Sequence, residues 1–314
     1  MIQLVMMIIV IFFSSKQPYF YKTQKFGKMK KVLFPTDFSD NAWNAISYGV
    51  QLYKDIACDF FVLHTYTPPF YRVDYALGGP VFSAVNDPEV DIVLENMDHT
   101  LKDLSKYYFN EKHRYYSRNA FNILTDEINK VSDKEQIDII VMGTKGATGA
   151  KRILFGSNTV YTIRKANIPI LAVPDDYQYA EVNQLLFFTD YLRPYREDEL
   201  EPLKEIARLH NATITILYVS EGYDLTNGQL SNKESLKEAL EGLTYEFKEN
   251  TNTKETMTET LESYLEDSQY DMLVMMNRKH SFLERLLTRQ QVEKIGFNLK
   301  IPFLVLRSNE AINW

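Results

Sequence analysis

The sequence predicts an α/β protein built from two successive copies of one parallel-sheet unit, and three observations carry that prediction. Short apolar runs of strand length alternate with segments of helical periodicity along most of the 314 residues. The runs are apolar at consecutive positions, as strands covered on both faces are, whereas a sheet with one wet face would alternate. The order of runs then repeats once, in a chain long enough to bury two cores.

KVLFPT (31–36) reads as the first strand, and residues 40–54 carry helical spacing behind an aspartate. CDFFVLHTY (58–66) is the second strand. Val90, Val93, Leu94, Met97, Leu101, Leu104 and Tyr108 recur at helical intervals, which predicts a long amphipathic helix. A weaker strand near 115–117 and a helix over 123–131 follow. IDIIVM (137–142) is a wholly apolar strand, 157–166 a helix, and IPILAVP (168–174) closes the unit. QLLFFTD, ATITILYVS, DMLVMM and IPFLVLR then repeat KVLFPTD, CDFFVLHTY, DIIVMG and IPILAVP in order. Thr36-Asp37 returns as Thr189-Asp190, 153 positions on, but Ile168-Pro169 returns as Ile301-Pro302, only 133 positions on. The surplus of the first copy falls on Pro68–Pro88, a proline- and glycine-bearing stretch that reads as a long loop over the ligand-facing edge or as a plain surface insertion. The chain thus divides into a first domain at 29–176 and a second at 177–314, with an extension at 1–28.

With 35 basic against 42 acidic side chains, the chain lacks the concentrated positive charge that nucleic-acid binding requires, and no nucleic-acid partner is expected. Cys58 is the single cysteine, so no intrachain disulfide can form, which fits a reducing cytoplasm. The extension opens on an apolar run that ends at Phe13, short of the ~20 residues of a membrane-spanning helix, and no basic residue precedes it. Met29-Lys30-Lys31 stands directly before the first strand, as a natural start would. Two readings stay open: a structureless extension or misassigned start, and a membrane-associating segment.

In an open parallel sheet, ligands sit outside the carboxyl ends of the strands. Three segments of the first copy end there: Pro35 to Ser39, His64-Thr65, and the loop in VMGTKGATGAKRILFGSNT (141–159). Gly143, Gly146 and Gly156 give that loop positive-φ freedom or room for close approach. The helix expected from Ser157 offers unpaired amides and a positive dipole end, a ready phosphate site. Ser157 and Thr159 add hydroxyls, and Lys145, Lys151 and Arg152 add charge. This is no P-loop, since Gly149 is followed by Ala150 and Lys151, and no G-x-G-x-x-G follows the first strand. The spacing that fits is G-x2-G-x9-G-[ST], met by Gly143, Gly146, Gly156 and Ser157.

With PTDFSDNA (35–42), VLH (62–64), MGTKG (142–146) and LFGSNT (154–159), the chain from Met29 onward resembles the universal stress protein family, in its tandem and nucleotide-binding members. The resemblance implies two tandem Rossmann-like domains of HUP type, each a five-stranded parallel sheet of order 3-2-1-4-5 flanked by helices. It implies ATP held by the first domain, in a protein acting in stress survival. By position, Pro35, Thr36 and Asp37 would line the adenine and ribose side, with Thr65 at the wall beyond His64. Met142 and Gly143 would border the ribose, and Gly146, Gly156, Ser157, Asn158 and Thr159 would hold the phosphates. Asp37 would also orient Mg2+ or Mn2+, or else merely cap the helix that follows. Domains of this family pair through their last strands, so IPILAVP and IPFLVLR are expected to form an intrachain pseudo-dimer, with a further homodimer left open.

The second copy departs from the pattern. In MMNRKHSFLERLLTRQQ (275–291), Asn277 and His280 read at the positions of Gly143 and Gly146, and Phe188 replaces Pro35. This half is expected to bind no ATP, with Arg278, Lys279 and His280 either holding an anion or lying on its surface. No general base stands near the phosphate loop, and the five histidines form no catalytic or metal cluster. The expected function is therefore an ATP-responsive regulatory protein with an unnamed protein partner. The alternative is slow ATP hydrolysis or nucleotidyl transfer at the same site, with His64 as the one candidate group.

Overall fold

A computed structural model of the chain describes residues 29–66, 88–144, 156–219, 224–250, 256–266, 269–278, 281, 283–284 and 300–308. The extension 1–28 and nearly all of the 68–88 stretch lie outside the described residues. The first half runs β1 (Lys30–Pro35), α1 (Asp40–Leu52), β2 (Cys58–Tyr66), α2 (Pro88–Tyr107), β3 (His113–Phe121), α3 (Leu124–Glu135), β4 (Ile139–Gly143), α4 (Ser157–Lys165) and β5 (Ile170–Val173). The second runs β6 (Gln184–Thr189), α5 (Glu197–His210), β7 (Thr213–Val219), α6 (Asn227–Ala239), β8 (Tyr245–Asn250), α7 (Met257–Glu266), β9 (Met272–Asn277) and β10 (Phe303–Arg307).

All these strands form one ten-stranded sheet of order β3-β2-β1-β4-β5-β10-β9-β6-β7-β8. Each half contributes a parallel Rossmann-like set, and the two sets meet where β10 runs antiparallel to β5, Leu304 opposite Leu171. That reversal has a geometric consequence: the carboxyl ends of β1, β2 and β4 open at one edge of the sheet, and those of β6, β7 and β9 at the other. Below and above the sheet lie two apolar layers. One packs Phe34, Tyr48, Leu52, Phe187, Leu203 and Ile206, with α1 and α5 side by side. The other packs Leu33, Ile140, Ile163, Leu186, Leu261 and Phe303 under α3, α4 and α7. Polar links also cross between the halves: Lys30 pairs with Glu205, and His210 Nε2 donates to the Leu52 carbonyl at 3.0 Å. Among the described residues, no helix is long and apolar enough to cross a membrane.

The third strand is longer than its sequence suggests, spanning His113–Phe121 in place of 115–117. Among the described residues it pairs only with β2 and forms a sheet edge, where Arg114, Arg118 and Asn119 discourage pairing with other chains and hide the strand's identity. The repeat is visible in hydrogen bonds as well. Asp138 Oδ2 accepts from the Lys31 amide at 2.9 Å, and Asp271 Oδ2 accepts from the Gln184 amide at 2.8 Å. Leu33 faces Ile140 between β1 and β4, and Leu186 faces Leu273 between β6 and β9. This shared register corrects one alignment: Met276, not Asn277, stands where Gly143 stands, which moves Asn277 to the place of Thr144.

His113, the first residue of β3, is buried with its ring edge against Phe60. Its Nε2 lies 3.2 Å from the Tyr53 carbonyl. Burial pushes the imidazole pKa below its ordinary 6.5, partly offset by the Tyr53 bond. Above pH 6.5 the ring is neutral in both folded and unfolded chains; below it, the unfolded chain takes a proton that the folded chain resists. Stability is therefore expected to fall as pH drops below about 6.5. Melting curves between pH 8 and 5 should show a slope that His113→Gln reduces, and an unaltered slope would remove this residue as its source.

Candidate functional site

The turn after β1 sets one wall. Thr36 Oγ1 accepts from the Phe38 amide at 3.0 Å, and Asp37 Oδ1 accepts from the Ser39 amide at 3.1 Å and from Ser39 Oγ at 2.5 Å. These bonds hold Phe38 in the left-handed region, φ 61°, which a non-glycine residue adopts only when its surroundings impose it. The Phe38 ring stacks on His64 with centroids 4.5 Å apart. His64 Nδ1 in turn donates to the Thr36 carbonyl at 2.8 Å; a carbonyl only accepts, so the proton sits on that nitrogen. His64 thereby braces the turn.

The helix cap is Ser39, whose Oγ accepts from the Ala42 amide at 3.2 Å, so Asp37 steadies the cap and is not itself the cap. The second half repeats this device. Thr189 Oγ1 accepts from the Tyr191 amide at 3.1 Å, Asp190 Oδ1 accepts from the Leu192 amide at 3.0 Å, and Tyr191 has φ 52°. The Thr-Asp pair therefore has the same turn-forming role after β1 and after β6.

The opposite wall is the junction between β4 and α4. A Cβ on Gly143 would lie 2.6 Å from Asn41 Nδ2 and 2.8 Å from its Cγ, and Asn41 is buried on α1. Glycine is thus required by proximity. Left-handed freedom is not the reason, because Gly156 has φ −57° and Gly143 is likewise not at positive φ. Two bonds pinch the ends of the loop together: the Gly156 amide donates to the Thr144 carbonyl at 2.5 Å, and Thr159 Oγ1 donates to the Gly143 carbonyl at 2.9 Å. The Thr159 hydroxyl is buried, with its proton committed to that carbonyl, so it shapes the junction from within. Gly156 is the N-cap of α4 and has no side chain to cover the first-turn amides, beside which Ser157 and Asn158 are exposed.

Between these walls lies a cavity of about 340 Å³. It brings together Pro35, Thr36, Asp37, Thr65, Met142, Gly143, Gly156, Ser157, Asn158 and Thr159, along with His64, Ala42 and Leu124. Gly146, Lys145, Lys151 and Arg152 lie outside the described residues. Ala42 sits within PTDFSDNA and could have been included on that ground; Leu124 enters through the course of β3 into α3, which no local pattern announces. Among the described residues, no group of three or more His, Cys, Asp or Glu side chains could hold a metal ion.

The second half has a cavity of about 300 Å³ at the corresponding strand ends, with a different lining. Phe188 replaces Pro35 and Met276 replaces Gly143, so larger apolar side chains line it. Arg278 is buried here, contrary to the surface position expected from the sequence. Its guanidinium donates to Glu199 at 2.9 Å and to the Arg193 and Pro194 carbonyls at 3.3 and 2.9 Å, and it lies over the Tyr195 ring at 4.8 Å. Ser308 Oγ donates to the other Glu199 oxygen at 3.0 Å.

Known proteins match this architecture. Residues 28–174 fit the model of the universal stress protein family. Two universal stress proteins of Methanocaldococcus jannaschii are similar to this chain: MJ0531, 26% identical over 46% of this chain and 81% of its own length, and MJ0577, 29% identical over 46% and 94%. The crystal structure of a universal stress protein from Archaeoglobus fulgidus shares the fold at 20% identity, with a TM-score of 0.63 over 89% of this chain and 97% of that one. Its likeness extends over both halves. Residues 28–174 thus form a domain that matches the universal stress protein family.

Proposed function

We propose that the first half binds ATP and that the protein acts as a nucleotide-responsive regulator in stress survival, the second half being a permanent partner that binds no ATP. The observation that carries this reading is the cavity of the first half, in which Gly143, Gly156 and the uncapped amino end of α4 face the turn after β1. Backbone amides at a helix start favour phosphate through their unpaired N–H groups and the helix dipole. The volume lies in the range of small-molecule sites. Gly156 lets main chain approach the ligand, Met142 and Thr36 offer contact to the nucleoside, and Ser157 and Asn158 add donors. A divalent ion fits only in part. Asp37 is the one carboxylate in the lining among the described residues, so Mg2+ or Mn2+ would be shared between it and the phosphates.

We read the division at 29–176 and 177–314 as two domains joined as a pseudo-dimer along β5 and β10. In the second, Met276 and Phe188 line the cavity in place of Gly143 and Pro35, and Arg278 is occupied by Glu199. Isothermal titration calorimetry should give one ATP per chain, with adenosine binding more weakly because it lacks the groups that meet α4. No heat at millimolar ATP, or two equivalent sites, would overturn the reading. Mass analysis of nucleotide released from the complex should return ATP; recovery as ADP alone would favour turnover.

A further inference from the structure

The second half also touches the helix at the anion end of the cavity. Asn277, the last residue of β9, is fully buried, and its Nδ2 donates to the Ile163 carbonyl at 2.6 Å. Ile163 lies in the last turn of α4, where carbonyls lack intrahelical partners. The same end is held from the first half by Asn129, which donates to the Lys165 carbonyl at 3.1 Å and accepts from the Asn167 amide at 3.2 Å. Two asparagines, one from each half, thus fasten the carboxyl end of a nine-residue helix whose amino end lines the cavity.

The arrangement is not what packing alone favours. Among the described residues Asn277 Oδ1 is buried without a partner, a destabilising feature that an apolar side chain would avoid. What the amide adds is a directed bond to α4.

We propose that Asn277 is a positioning residue through which the second half sets the ATP affinity of the first; the inference rests on the ATP reading above. With the bond in place, α4 is held from both halves of the chain, and its first-turn amides are preorganised for phosphate. Without it, the helix gains freedom at its far end and the ligand must order it on binding. The effect falls on the phosphate contacts, because the nucleoside side of the cavity is built from β1, β2 and β4.

The test uses the full chain with Asn277→Ala and Asn277→Leu. The leucine variant fills the site and removes the unpaired oxygen, so its fold is retained. Calorimetric titration should show ATP binding weakened on the order of tenfold in both variants. Adenosine affinity should be unchanged, so the ratio of the two affinities falls. Equal losses for ATP and adenosine would mark Asn277 as merely structural, and an unchanged ATP affinity would likewise overturn the proposal while leaving the ATP reading intact. A wild-type chain that binds no ATP would remove both.

Discussion

Gly156→Val is expected to abolish ATP binding while leaving the fold in place. Gly156 has φ −57° and ψ 153°, extended backbone that any residue adopts, β-branched ones included. The substitution therefore adds no left-handed strain, and its cost at the N-cap is about 1 kcal/mol or less. Its effect on the ligand is different in kind. A branched side chain would stand at the start of α4, in the lining of the cavity, between the phosphates and the amides that are to meet them. A loss of at least about 100-fold in affinity, roughly 2.7 kcal/mol, is expected by calorimetric titration, with a melting temperature within a few degrees of wild type. Gly143→Ala is the instructive contrast. Its Cβ would meet buried Asn41 at 2.6 Å, so overpacking of about 1–3 kcal/mol enters the melt and confuses the binding result. Retained ATP affinity in Gly156→Val would show that the phosphates lie elsewhere, and the site as drawn would fail.

Much of this site is legible in the sequence because its parts are strong local signals. Strands buried on both faces read as unbroken apolar runs, and β1, β2, β4 and β5 are of that kind. A helix start after a glycine is equally plain, and topology alone directs both to one sheet edge. The edge strand β3 is less so, since HRYYSRNAF protects itself with the polar residues that disguise it. The one-residue misalignment at Met276 had a remedy within the sequence: aligning Asp138 with Asp271, the carboxylates that bind the first-strand amides, places Met276 at Gly143 directly. Other features leave no local trace. Nothing in SNT distinguishes a threonine whose proton serves Gly143 from one that faces phosphate. A basic residue in a loop is usually solvated, and Glu199, the partner that takes Arg278 inside, lies 79 positions away in the first turn of a helix, where acids are ordinary.

That buried pair yields the largest stability effect expected in the molecule. The side chains of Arg278 and Glu199 are 7% and 2% exposed, so removing either partner strands the other with little access to water. Arg278→Ala is expected to cost about 3–5 kcal/mol, well above the ~0–1 kcal/mol of an exposed pair. Urea unfolding measures it directly, as a lower midpoint at unchanged slope. Replacing both, as Arg278→Met with Glu199→Leu, should recover part of the loss, because burying the pair itself cost desolvation that apolar side chains do not incur. Loss of the two carbonyl bonds and the Tyr195 contact keeps that recovery incomplete. ATP affinity, measured well below the unfolding midpoint, should be unaltered in Arg278→Ala: its cavity opens at the sheet edge opposite the ATP cavity, and its bonds go to residues of the second half. Asn277, one position earlier, points its amide to α4 and should behave in the reverse way, moving ATP affinity more than stability. Adjacent residues with opposite phenotypes would locate the coupling between the halves in one side chain, whereas a cost below about 1 kcal/mol for Arg278→Ala would mean that the pair is open to water.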